Sequence, residues 1–211
     1  MTALTVTTQT SPARVIPVRP VEVLAPESGV RLVLRMLTEA DRGEFIKHLR
    51  ASRWHLRRWF PTMERGESED AYFDRQVRRA AEGNADGSAW RRAAFDDAGR
   101  FIGVVNINRI QRGLDWQADM CWWVSALRAG RGLGTQIVRA AVDHALADLP
   151  DGLGLAKVHA GIHPRNKPSV ALAQRLGFER DPRYTSRLLV GGAWQAHDAW
   201  VKTVDLGGEL G

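Results

Sequence analysis

Cysteine is almost absent: Cys121 stands alone among 211 residues. That excludes an intramolecular disulfide framework and predicts a reducing, cytoplasmic setting. Cys121 lies in an apolar stretch and reads as a packing residue rather than a nucleophile. Long hydrophobic runs are missing too, so no membrane-spanning helix is expected. The first residues show neither a charged nor an apolar leader region, which predicts no secretory signal. No His, Cys, Asp and Glu grouping has metal-ligand spacing, and no segment repeats.

What is present is glycine in one informative place. Asp119–Val124 reads as a strand. Ala129, Gly130, Arg131, Gly132, Leu133, Gly134 and Thr135 follow, and then apolar positions at helical spacing: Leu133, Ile137, Val138, Ala141, Val142 and Ala145. Glycines permit positive φ and close backbone approach. A helix N-terminus beside them favours an anion, because its N–H groups and dipole point there. The run is G-x-G-x-G, so it fits neither the dinucleotide fingerprint nor the lysine-containing phosphate loop. A plain strand-to-helix turn is the alternative.

A second segment has the same grammar. Lys157–Ile162 alternates as a strand, and His163–Ser169 is turn chemistry with Asn166 as a natural cap and Pro168 in a first helical turn. Val170, Leu172, Ala173 and Leu176 form an apolar face, and Gly177 stops the helix before Phe178.

Elsewhere, Leu32–Leu37 reads as a strand and Thr38 as the cap of a helix carrying Phe45, Ile46 and Leu49. A helix is expected from Ser68 to about Glu82, and a loop over Gly83–Gly87. Ser88–Phe95 and Arg100–Ile110 predict a hairpin through Asp96–Gly99. Ala193–Val204 is expected to pair with Arg187–Val190 through Gly191 and Gly192. The order implies a single domain over 29–206 built on a mixed α/β, mostly antiparallel sheet flanked by helices. Residues 1–28 read as an extended arm or disordered tail and 207–211 as a C-terminal tail.

Net charge is +6. Lys47, Arg50, Arg53, Arg57 and Arg58 follow one another with no acid between them. Such a run is either a solvated helix face or an attractor of an anionic partner. Trp54 and Trp59 lie within it, as walls of a substrate cleft, as core, or as a stacking platform for RNA.

In their order these motifs resemble the GCN5-related N-acetyltransferase (GNAT) superfamily, over roughly Arg31 to Val204. Gly132 and Gly134 match the glycines of its pyrophosphate loop; Asn166, Ser169, Gly177 and Phe178 match its later motif. Asp119–Val124 and Leu56–Pro61 are similar to segments of the RimJ/RimL-like subgroup, which acetylates protein N-termini among other amines. Position 129 is Ala where the family usually has Arg or Gln, with Arg128 one residue early. Asp119 replaces a usual Glu. A Tyr that many members use as a general acid is Ala173 here.

The resemblance implies acetyl-CoA as co-substrate, without a metal, bound by Val124, the 129–135 loop, Asn166 and Ser169. It implies direct attack by an amine in a ternary complex. A base must take the amine proton, the carbonyl oxygen needs a donor, and the thiolate leaves. Asp119 is the candidate base or amine-binding group and is otherwise a solvent-facing strand residue. Val124 N–H is the candidate oxyanion donor, and Ser169 the candidate group near the sulfur. His159 and His163 rank below Asp119. Trp54, Trp59 and Asp119 are the expected acceptor contacts. The acceptor implied is a protein N-terminal amine. The alternatives are a small amine, such as a polyamine or antibiotic, and a non-catalytic CoA-binding or RNA-associated protein. A homodimer is compatible with the sequence, and nucleic acid enters only through a ribosome-associated acceptor.

Overall fold

A computed structural model describes residues 21–25, 30–60 and 63–204. The tail over 207–211 and the first twenty residues of the expected arm lie outside them. One sheet of eight strands organises the chain, in the order β1-β2-β3-β4-β5-β6-β8-β7. The strands are β1 (Val21–Ala25), β2 (Val30–Arg35), β3 (Trp90–Asp96), β4 (Phe101–Gln111), β5 (Gln117–Val124), β6 (Lys157–Ile162), β7 (Glu179–Val190) and β8 (Ala193–Thr203). Every neighbouring pair is antiparallel except β5 with β6. The mixed, mostly antiparallel sheet expected from the sequence is therefore present.

Helices α1 (Arg42–Ala51), α2 (Arg53–Trp59) and α3 (Glu69–Asp86) cover one face; α4 (Leu133–Leu146) and α5 (Lys167–Arg175) serve the other. Alternation along β5 divides its side chains between two cores. Ala118, Met120, Trp122 and Val124 join the α4 side, with Ile137, Val138 and Ala141. Trp123 joins the α1–α3 side and packs its ring at 6.1 Å from Phe45 and 5.5 Å from Phe101. Period-2 patterning thus lets one strand bind both layers.

Several boundaries differ from expectation. Val21–Ala25 pairs with β2, so part of the segment read as arm or disordered tail is an edge strand of the domain. The loop expected over Gly83–Gly87 is instead the last turn of α3. Gly83 is there for packing: a Cβ on it would sit 2.6 Å from the Cβ of Ala89. The helix stops at Gly87, whose φ of 74° is left-handed. β7 starts at Glu179 rather than Arg187 and is bulged between Asp181 and Thr185.

The connection from β5 to α4 is fixed by buried polar groups. Ser52 Oγ accepts from Ala126 N–H at 2.9 Å and donates to His48 O at 2.7 Å. Ser125 Oγ lies 2.7 Å from His48 Nδ1 and accepts from Leu127 N–H at 3.2 Å. His48 Nε2 lies 3.2 Å from Glu44 Oε2. Ser52 and Ser125 are fully buried. Each such buried group would cost about 1–3 kcal/mol if left unpaired.

Burial pushes the His48 pKa below its ordinary value, against the opposing pull of Glu44. The unfolded chain therefore takes up a proton near pH ~6.5, while the folded chain resists until lower pH. The stability His48 contributes is complete above that value and is lost as pH falls through the window below it. The melting temperature is expected to drop between about pH 7 and about pH 5, and less steeply in His48→Gln. Equal slopes, followed by circular dichroism, would assign the drop to other imidazoles such as the half-buried His144, whose pKa burial also lowers.

Candidate active site

The site lies where β5 and β6 part. Their parallel pairing lasts three residue pairs, ending at Asp119 with His159. β5 keeps its partner β4 on the other side as far as Val124 with Gly103. Ser125 N–H donates to Ile102 O at 2.9 Å, on the β4 side. Backbone groups alternate along a strand, so Trp122 and Val124 turn their N–H groups the other way, into the gap. Both residues are half-buried and line a cleft, so these groups are open to an amide-bearing ligand running through the gap.

Two clefts meet at this gap. One, of about 810 Å³, is lined by Val124, Ala129, Gly130, Gly132, Gly134 and Thr135, with Arg128, Arg139 and Arg175. The other, of about 420 Å³, lies between α3 and the sheet and contains Asp119. Trp59, Phe60, Trp122, Asn166 and Ser169 line both.

The larger cleft is built for anions. Gly130 and Gly132 have φ of 76° and 72°. Gly132 is the N-cap of α4 and supplies no capping side chain, which leaves the helix N-terminus to a ligand. A Cβ on Gly134 would come within 3.0 Å of Val124 Cγ2, so only glycine keeps the first turn this close to β5. Arg175 donates to Thr135 Oγ1 at 3.1 Å, which ties the end of α5 to that turn. Sequence reading found the glycines and missed Arg139 and Arg175. The i,i+4 spacing of Thr135 and Arg139 on a helix was the available signal for one; Arg175 has no local signal, since it arrives from another helix.

Not every expected residue is at the clefts. Leu133 is 5% exposed in the core, and its backbone alone belongs to the loop. Arg131 is exposed and lines neither cleft. Trp54 is 79% exposed and also lines neither, whereas Trp59 forms part of the shared wall. Lys47 pairs with Glu44 one turn before it and Arg50 with Glu69 on α3, so acids outside the basic run answer part of it. Arg53 and Arg57 line a separate shallow cleft with Glu64, Glu67 and Glu69.

Asn166 caps α5, accepting from Ser169 N–H at 3.5 Å, and Pro168 sits in the first turn. Asp119 forms an ion pair with Arg109. Arg109 has a φ of 51°, within the irregular register between Asn108 and Gln111, and this kink turns it onto the carboxylate. His163 Nδ1 accepts from Arg165 N–H at 3.1 Å, which places the proton of the neutral ring on Nε2. Its ring lies 5.2 Å from that of Trp59, and burial lowers its pKa. His159 lines neither cleft and lies 3.0 Å from Gln117 Oε1. Burial raises the Cys121 pKa, which suppresses the thiolate a covalent acetyl-enzyme would need.

A helix terminus open to an anion in one cleft, joined through a parted strand pair to a second cleft holding a carboxylate, is an arrangement that suits an acyl-CoA-dependent transferase. The Acetyltransferase (GNAT) domain family matches residues 31–179, and the chain belongs to it. It is an N-acetyltransferase that uses acetyl-CoA as co-substrate. It is 26% identical to the [ribosomal protein uS5]-alanine N-acetyltransferase of Escherichia coli over 168 residues, 79% of this chain and 84% of the relative. The fold is similar to that of Mycobacterium smegmatis RimJ in complex with CoA-disulfide, with TM-score 0.74 and 23% identity over 88% of this chain and 86% of the other. It is also similar to spermidine N-acetyltransferase from Vibrio cholerae in complex with CoA and spermine, with TM-score 0.65 and 20% identity over 82% and 95%.

Gly132→Asp is expected to abolish CoA binding measured by calorimetry, because it places a side chain and a negative charge at the helix terminus. Gly132→Asn, neutral and tolerant of left-handed backbone, should lose far less. Arg139→Gln and Arg175→Gln should each weaken CoA by about tenfold, the scale of one charge-assisted contact. Unchanged affinity in a folded Gly132→Asp variant would move the phosphate site elsewhere.

Proposed function

We propose that the chain acetylates the α-amine of a protein N-terminus, by direct attack on acetyl-CoA in a ternary complex. The observation that carries this reading is the acceptor cleft. It holds a single lining carboxylate, Asp119, on the strand whose far end, Val124, lines the other cleft. One carboxylate suits an acceptor with one reactive amine; a polyamine has several ammonium groups to neutralise. The likeness to an enzyme named for a ribosomal protein alanine supports the same acceptor class.

In this reading Asp119 takes the acceptor's ammonium in exchange for the Arg109 guanidinium. Arg109 is 79% exposed on its side chain and can swing into solvent. Cation replaces cation, so the carboxylate is never left unpaired. Asp119 then accepts the amine proton through water, because Val124 lies five residues farther along the strand, at about 3.3 Å each. The nitrogen forms a bond to the acetyl carbon and the carbon–sulfur bond breaks. Val124 N–H, which points into the gap, meets the charge that develops on the carbonyl oxygen. The Ser169 hydroxyl donates to the departing sulfur. Asn166 holds the amides of the cofactor's arm while capping α5.

Asp119→Asn should lower kcat by about 10²-fold, the usual scale of a lost general base, with little change in the KM for acetyl-CoA. Arg109→Ala should act oppositely on the acceptor, lowering its KM several-fold because the ammonium no longer competes. The assay is thiol release with N-terminal peptides, spermidine and an aminoglycoside as acceptors. Turnover of the small amines alone would replace the peptide reading with the small-molecule one.

A further inference from the structure

The acceptor cleft carries more positive charge than its chemistry requires. Its floor is a polar row across three strands. Arg91 on β3 registers with Asn106 on β4, and Asn106 with Cys121 on β5. Asn108 and Asp119 form the next row on the same face. Its roof is α3, where Tyr72, Arg75, Gln76 and Arg79 share one side at i, i+3, i+4 and i+7.

Two of the cleft's arginines are already matched, Arg109 by Asp119 and Arg75 by Glu67 at 2.6 Å. Arg79 and Arg91 have no ion-pair partner among the described residues. Arg91 is half-buried, and its side chain reaches only Gln76 Oε1, at 3.5 Å. Burial lowers its pKa, the mark of a cation that has lost water without gaining an anion. A cation held this way costs free energy until an anion joins it.

The register also sets the distance. Strands lie about 4.8 Å apart and rise about 3.3 Å per residue, so the backbones at Arg91 and Asp119 are separated by about 12 Å. An extended peptide advances about 3.3–3.6 Å per residue, and the arginine side chain spans part of the interval. A peptide whose α-amine sits at Asp119 therefore brings its second or third side chain to Arg91 and Arg79.

We propose that Arg79 and Arg91 form an anion subsite that selects acceptors with an acidic side chain at the second or third residue. This rests on the peptide reading above and names its substrate class. An aspartate or glutamate there completes the ion pairs that the cleft lacks, and a lysine there is repelled.

The experiment compares thiol release from four peptides that differ only at residue two, with Asp, Glu, Gln or Lys, alongside spermidine and small amines bearing a carboxylate. The acidic peptides should exceed the glutamine peptide by about tenfold in kcat/KM, mostly through KM, and the margin should shrink as salt is raised. Arg91→Met and Arg79→Gln should each bring the ratio towards one, and Arg91→Lys should keep part of it. Thermal melting confirms that each variant is folded, and the lysine variant preserves the test if the methionine one is not. Equal use of acidic and neutral peptides by the wild type, or a ratio untouched in both arginine variants, overturns the subsite and leaves the peptide reading standing. Turnover of carboxylate-bearing small amines but not peptides, with the same arginine dependence, overturns the peptide reading and leaves the subsite. Preference for spermidine overturns both.

Discussion

The separation of β5 from β6 beyond Asp119 is the constraint on which the site depends. A sheet closed along its whole length would bury the backbone of Trp122 and Val124 in ladder bonds and leave no passage between the layers. Because the ladder stops, a strand in the middle of the sheet acquires an edge, and that edge faces inward. It must be held open. On one side, β4 keeps β5 in place to Val124, aided by Gly103, where a Cβ would fall 2.4 Å from Trp123 O. Trp123 and Met120 anchor the strand in opposite cores. Beyond the strand, Ser52, His48 and Ser125 clamp the turn, so the glycine loop starts from a fixed point. Stability and ligand access are thus assigned to different sides of one strand.

The two clefts divide the electrostatic work. In the cofactor cleft, helix terminus, glycine backbone and three arginines all favour negative charge. In the other cleft, Asp119 is the single lining carboxylate, paired with Arg109, while Arg75, Arg79 and Arg91 stand farther along α3 and β3. The net positive charge of the chain acts here through residues placed by register. The long basic run of α1 and α2 is instead partly answered by Glu44 and Glu69.

Local rules carried the sequence reading a long way. β5, β6, α4 and α5 were legible because alternation, helical period and turn chemistry all agree there, and Asn166 and Gly177 mark the helix ends directly. The glycine loop was legible for the same reason. What was not legible came from long-range packing. Gly83 looks like a loop residue until Ala89 is found against it. Trp54 and Trp59 are alike in sequence, five residues apart on a short helix, yet one faces solvent and the other the clefts. Arg139, Arg175, Arg79 and Arg91 are ordinary charged residues in their own segments, and only the sheet and the helix crossings bring them to a site. Arg109 on Asp119 required a kinked backbone that no residue type there announces.

The clefts have only Trp59, Phe60, Trp122, Asn166 and Ser169 in common. Everything else on the acceptor side, including the rows on β3 and β4 and the exposed side of α3, can be replaced without touching a residue that faces the cofactor. Such a division lets a gene duplicate explore new acceptors while its acetyl donor stays the same. Changes of acceptor in this lineage should accumulate on α3, β3 and β4, and leave the turn between β5 and α4 quiet.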